Sequence, residues 1–306
     1  GLKMTIRHCV HIYLIILIFA YSHAVSAAES ISVMVSIAPQ KFFVQQIGKE
    51  RVDVQVMVPP GGSPATSEPK PRQMTALSKA KLYFAIGVPF EKRWLRKLSA
   101  ANPKMKIVHT DAGIEKFPMA THYHQHEEGT QPKPEDDRHT KDDFGSPDPH
   151  IWLSPSLVKK QAGAISTALQ ESDPAQQSAY KANLQQFVAS IDVLDARLKS
   201  AFKDLPGRRF MVYHPSWGYF ANDYGLSQVP IEIEGKSPKP AQLKALIEQA
   251  RKKGIKVVFA QPQFSARSAG LIAKEIGGQV VFADPLAENW LDNLNAVAAK
   301  FEAALK

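Results

Sequence analysis

Residues Pro174 to Lys203 read PAQQSAYKANLQQFVASIDVLDARLKSAFK, with no glycine and no proline after the first position. The large apolar residues are Tyr180, Leu184, Phe187, Ile191, Leu194, Leu198 and Phe202, separated by steps of 4, 3, 4, 3, 4 and 4. That spacing puts all seven on one face of an α-helix. Asp173 stands where it can cap the first turn, and Pro174 falls where a helix tolerates proline best. Pro206-Gly207 stops the run. At about 1.5 Å per residue the helix is about 45 Å long, more than the width of one small domain. An apolar stripe of that length needs two bodies or a coiled-coil partner to cover it. The expectation is a helix that joins an N-terminal and a C-terminal lobe; the alternative is an ordinary long surface helix.

The remaining sequence is long enough to supply both bodies. The chain has 306 residues, 44% hydrophobic and 22% charged, as in a soluble globular protein. Residues 1–28 read as a secretory signal: Arg7 and His8, an apolar run from Val10 to Ala20, and small residues from Ala24 to Ala28 for cleavage. The apolar run is short for a membrane span, so an uncleaved anchor is the lesser alternative and no stable insertion is expected after cleavage. Cys9, the only cysteine, lies inside this segment. The mature chain then folds without a disulfide, in a compartment such as a bacterial periplasm. The net charge of +9 is spread along the chain with no interleaved aromatics, which argues for solubility and against nucleic-acid binding.

From Ile31 short β-rich runs alternate with helical segments. Strands are expected at Ile31–Ile37, Val52–Val58, Lys81–Val88 and Lys106–Thr110, and again at Arg208–His214, Ser227–Ile233, Lys256–Ala260 and Gln279–Pro285. Helical segments lie between them. Such alternation implies parallel sheets flanked by helices, an α/β fold of two lobes. The expected division is 29–172 for the first lobe, 173–205 for the connecting helix and 206–306 for the second lobe. Residues 119–147 interrupt the pattern with a polar, histidine-rich stretch that reads as a mobile loop.

Three chemically able residues fall at or just after strand ends or turns. His214 ends RRFMVYH, Asp284 ends QVVFAD, and His150 follows Asp148-Pro149. In open α/β sheets ligands bind at the carboxyl ends of strands. Two imidazoles and a carboxylate suit Zn²⁺, with Mn²⁺ or Fe²⁺ less favoured. The run His122-x-His124-x-His126-Glu127-Glu128 reads as a low-affinity metal-collecting tract or as a solvated charged loop. Glu232-x-Glu234 reads as a solvated loop, and Trp217 as cleft wall or core.

Five stretches taken together carry a resemblance: MVPPGGSPATSEPKP (Met57 to Pro71), SPDPHIWLSP (Ser146 to Pro155), YHPSWGYFANDYGL (Tyr213 to Leu226), VVFAQPQFS (Val257 to Ser265) and VVFADPL (Val280 to Leu286). In content and order they resemble the periplasmic metal-binding proteins of bacterial zinc and manganese ABC importers, with a histidine-rich loop like that of the zinc branch. The resemblance implies two α/β lobes on one rigid helix and a metal in the cleft between them. His150 and His214 would be ligands, and Asp284 matches a carboxylate that some members use. Two positions depart from the family. Ala65 stands where the first histidine ligand belongs, and Gln261 stands where many members carry glutamate. Water, His122, His124, His126 or Glu68 could complete a four-coordinate zinc, although Glu68 reads first as a residue fixing its turn. The implied function is capture of Zn²⁺ in the periplasm by a monomer and delivery to an ABC membrane permease. A binding protein for another divalent metal or a metal complex is the alternative. A zinc hydrolase is a minor one, and neither H-E-x-x-H nor G-x-S-x-G occurs; no enzymatic activity is expected.

Overall fold

The structure is a computed structural model, and it describes residues 30–119, 146–233 and 236–305. From residue 31 onward the described chain packs as one compact unit. It opens with β1 (Ile31–Val35), α1 (Ala38–Gly48), β2 (Val52–Val56), α2 (Pro71–Leu77), β3 (Leu82–Ala85), α3 (Pro89–Ala101) and β4 (Lys106–His109). The four strands form a parallel sheet in the order β2-β1-β3-β4, with Val33 beside Val54 and Leu82. The second half repeats the plan after α4 (Pro155–Ser172) and α5 (Gln177–Phe202). Its elements are β5 (Arg209–Val212), α6 (Gly218–Asp223), β6 (Ser227–Pro230), α7 (Pro240–Lys252), β7 (Val257–Ala260), α8 (Ala266–Glu275), β8 (Gln279–Phe282) and α9 (Trp290–Leu305). Its parallel sheet runs β6-β5-β7-β8. The central strands β3 and β7 are buried at every residue, as expected where helices cover both faces. Prolines in the first turn of α1, α2, α3, α4 and α7 mark where strand or loop gives way to helix.

The strand order reverses between the first and third strand of each sheet, so each has a switch point there. A glutamine bridges the gap in both. Beyond β1 and β3, the Gln40 side-chain oxygen accepts from the backbone N–H of Ser36 (3.0 Å) and Ile37 (3.2 Å), while its amide donates to Phe84 O (3.0 Å). Beyond β5 and β7, Gln261 accepts from His214 N–H (2.8 Å) and donates to Ser216 Oγ (2.7 Å). The first switch point also holds Glu91, whose carboxylate accepts from Ser36 Oγ and from the N–H groups of Ile86 and Gly87.

The long helix spans both halves. Phe187 packs on Phe42 and Phe43 of α1, with ring centres 5.9 and 6.0 Å away, and Asn183 donates to Ile47 O. At its other end Phe202 meets Phe220 and Phe301, and Arg197 donates to Asn295. Six of the seven stripe residues are buried, and Leu184 is partly so. The N-terminus differs from expectation. Pro174–Gln176 form a 3₁₀ turn and the α-helix starts at Gln177. Asp173 makes no side-chain cap; its carboxylate instead accepts from the Tyr180 hydroxyl (3.0 Å). Phenol and carboxylate meet one turn into the helix, which removes the carboxylate from the free N–H groups.

A single apolar core runs through both sheets, and a smaller cluster around Met211, Ile231 and Ile272 lies on the other face of the second sheet. Trp152 and Trp290 tie the halves together. Trp152 Nε1 donates to Pro285 O, Trp290 Nε1 donates to Trp152 O, and Trp290 sits edge-on to Phe43 at 5.4 Å. The expected loop 119–147 falls almost wholly at 120–145, outside the described residues. Its two stems meet: Met119 N–H donates to Ser146 O, and Pro118 bridges Pro147.

Candidate metal centre

His150 and His214 reach one place from the two halves of the chain. His150 lies just before the short Ile151–Leu153 turn that leads into α4, and His214 lies two residues past β5. Their ring centres are 5.2 Å apart at an interplanar angle of 64°. His150 is buried against Trp152, whereas the His214 side chain keeps 28% of its surface and rests against Phe264.

Each ring is held by a carboxylate through the same nitrogen. Asp148 Oδ1 lies 2.6 Å from His150 Nδ1 and also accepts from the His150 backbone N–H. Glu232 Oε1 lies 2.7 Å from His214 Nδ1, and its side chain is only 10% exposed. An ionised carboxylate can only accept, so each pair puts a proton on Nδ1 and, in the neutral imidazole, leaves Nε2 with its lone pair. Such carboxylate–imidazole pairs fix the orientation and tautomer of metal-binding histidines. Burial pushes the His150 pKa down, and the neighbouring Asp148 opposes that shift. A neutral imidazole is the form that binds a metal.

Glu232 is therefore a correction to its reading as a solvated loop residue. It faces inward just past β6, beside the strand that delivers His214. Its separation of 18 residues from its partner gave no sequence signal, although its place at a strand end could have done so. Trp217 is fully buried and makes edge-on contacts with Phe220 and Phe259, so it is core. Gln261 is buried and spends its amide on His214 N–H and Ser216.

Asp284 lies beyond β8, where Oδ1 accepts from Gln263 Nε2 (2.8 Å) and from the Leu286 N–H (2.9 Å). Ala65 and Glu68 are exposed on the turn after β2. That turn is tied by Ser63, which accepts from Ala65, Thr66 and Ser67, and by Arg93, which donates to Ser67 O. None of the described hydrogen bonds runs to Glu68, so its expected role in fixing the turn falls to Ser63 and Arg93. His122, His124 and His126 lie outside the described residues. Among the described residues no group of three or more histidine, cysteine, aspartate or glutamate side chains is arranged to hold a metal ion. The two imidazoles come together; Asp284 does not join them in one cluster.

Two α/β lobes braced by a long helix, with two carboxylate-backed imidazoles brought together from both halves, define the class of metal-capturing solute-binding proteins. Residues 33–304 match the family model described as "Zinc-uptake complex component A periplasmic", and the chain belongs to that family. The chain is thus a periplasmic zinc-binding component of a zinc-uptake system. It is similar to a crystal structure of ZnuA at 44% identity and TM-score 0.81, covering 91% of this chain and 100% of that one. It is also similar to a ZnuA deletion mutant with zinc bound, at 43% identity and TM-score 0.79, covering 90% and 98%. The high-affinity zinc uptake system protein ZnuA of Bacillus subtilis is 27% identical over 259 residues, 83% of this chain and 78% of that protein. No helix among the described residues is long and apolar enough to cross a membrane.

Proposed function

We propose that the chain captures Zn²⁺ through Nε2 of His150 and Nε2 of His214 and passes it to the membrane permease of an ABC importer, acting as a monomer and without catalysing a reaction. The 5.2 Å separation of the two ring centres carries this reading. Two imidazoles bound to one tetrahedral zinc at about 2.0–2.1 Å would hold their centres about 5 Å apart. Asp284 is the third ligand in this reading, after release from Gln263, whose own carbonyl oxygen is buried without a hydrogen-bond partner among the described residues. Water or a histidine from His122, His124 or His126 takes the position that Ala65 leaves open. Glu68, exposed on its turn, is a further candidate.

Calorimetric titration of chelator-treated protein tests this. His150→Ala and His214→Ala are each expected to weaken zinc binding by about two orders of magnitude or more. Glu232→Gln is expected to weaken it by about 10–100-fold, because the amide no longer dictates the His214 tautomer. Excision of 120–145 with the stems rejoined separates the two candidates for the open position. Retained affinity assigns it to water and lost affinity to a loop histidine. Unchanged affinity in both histidine variants would overturn the assignment.

A further inference from the structure

We infer that Gly218, in the second lobe, is a positioning residue for His150, in the first: its missing side chain provides the space in which the Asp148 carboxylate stands. This rests on the reading of His150 as a zinc ligand. A Cβ at position 218 would lie 2.9 Å from Asp148 Oδ2 and 3.0 Å from Gln228 Nε2. Gly218 has no left-handed φ, so the requirement there is space and not backbone freedom. Asp148 has little room to yield. It is fully buried, its Oδ1 is engaged by both His150 N–H and His150 Nδ1, and its own N–H donates to Phe117 O. Oδ2 has no hydrogen-bond partner among the described residues, so it is held by packing against the start of α6. A carboxylate pushed away from Gly218 carries the imidazole with it.

The next residue fixes the same segment. Tyr219 donates its hydroxyl to Asp148 O (3.0 Å), and its ring lies on Phe117 with centres 3.9 Å apart. The start of α6 follows His214 by four residues, so one short segment of the second lobe carries one histidine and sets the carboxylate behind the other. The separation of the two rings is then a property of this contact and not of two lobes docked independently.

The competing route runs through Gln228, which accepts from Trp217 N–H and donates to Pro215 O beside His214. Zinc affinity of Gly218→Ala, alone and combined with His150→Ala or His214→Ala, separates the two. Gly218→Ala is expected to lose about tenfold or more in affinity while the zinc-free protein stays folded by far-ultraviolet circular dichroism, with a melting temperature lowered by the overpacking against Asp148 and Gln228. The loss is expected to vanish with His150→Ala and persist with His214→Ala. Tyr219→Phe, which keeps the ring, is expected to show a smaller loss with the same dependence on His150. Unchanged affinity in Gly218→Ala overturns the inference. So does a loss that survives His150→Ala, or one that disappears only with His214→Ala. If His150→Ala alone leaves affinity unchanged, it is the ligand assignment that fails.

Discussion

At the scale of single residues, the site is built by carboxylates that do not themselves need to touch a metal. Asp148 and Glu232 choose which imidazole nitrogen is free. Asp148 was partly legible in the sequence, inside Ser146-Pro147-Asp148-Pro149-His150. Glu232 was not, because the pairing depends on two neighbouring parallel strands bringing positions 214 and 232 together. Glu91 is a third inward-facing carboxylate, at the switch point of the first sheet. Burial raises its pKa, and the donors Ser36, Ile86 and Gly87 only partly offset that. A carboxyl with a raised folded-state pKa binds its proton more tightly when folded. Its contribution to stability is present below the ordinary glutamate value and is lost as pH rises through the raised value. Glu91→Gln leaves one buried donor without an acceptor, at a cost of about 1–3 kcal/mol. In urea unfolding of chelated protein, the advantage of wild type over Glu91→Gln is expected to be larger at about pH 4 than at about pH 8. An advantage that grows with pH would mean that the three donors outweigh burial.

At the scale of elements, the order of strands and helices was readable because proline and glycine punctuate it and because the apolar period changes from strand to helix. The ends were less readable where side chains had a choice of partner. Asp173 was available to cap a helix, and Tyr180, in the first turn of the long helix, engages it instead. Whether the long helix would brace two separate cores or one was not legible, since a stripe of apolar residues does not say what lies on either side of it. The structure gives one core, with Phe187 on the first lobe and Phe202 on the second. Phe187→Ala is expected to cost about 3–5 kcal/mol. Because the core is continuous, the variant is expected to unfold in one transition seen identically by fluorescence and far-ultraviolet circular dichroism. Two separated transitions would show that the lobes fold independently.

At the scale of the whole molecule, the fold delivers one histidine from each half to a common point, and the tryptophan ties between the halves resist wide opening. Binding to the folded state alone adds stability by mass action, about 4 kcal/mol at a free zinc concentration about 1,000 times Kd. Ala65 and Gln261 were plain in the sequence as differences from the pattern it resembles, but which groups would complete the proposed site was not, because the answer depends on groups that converge in space. The most direct test of the central claim is X-ray absorption at the zinc edge of the protein loaded with one equivalent of Zn²⁺. Outer-shell scattering from at least two imidazoles is expected, with first-shell nitrogen or oxygen at about 2.0–2.1 Å, and one imidazole fewer in His150→Ala and in His214→Ala. A spectrum without imidazole scattering, or one unchanged in both variants, would contradict it.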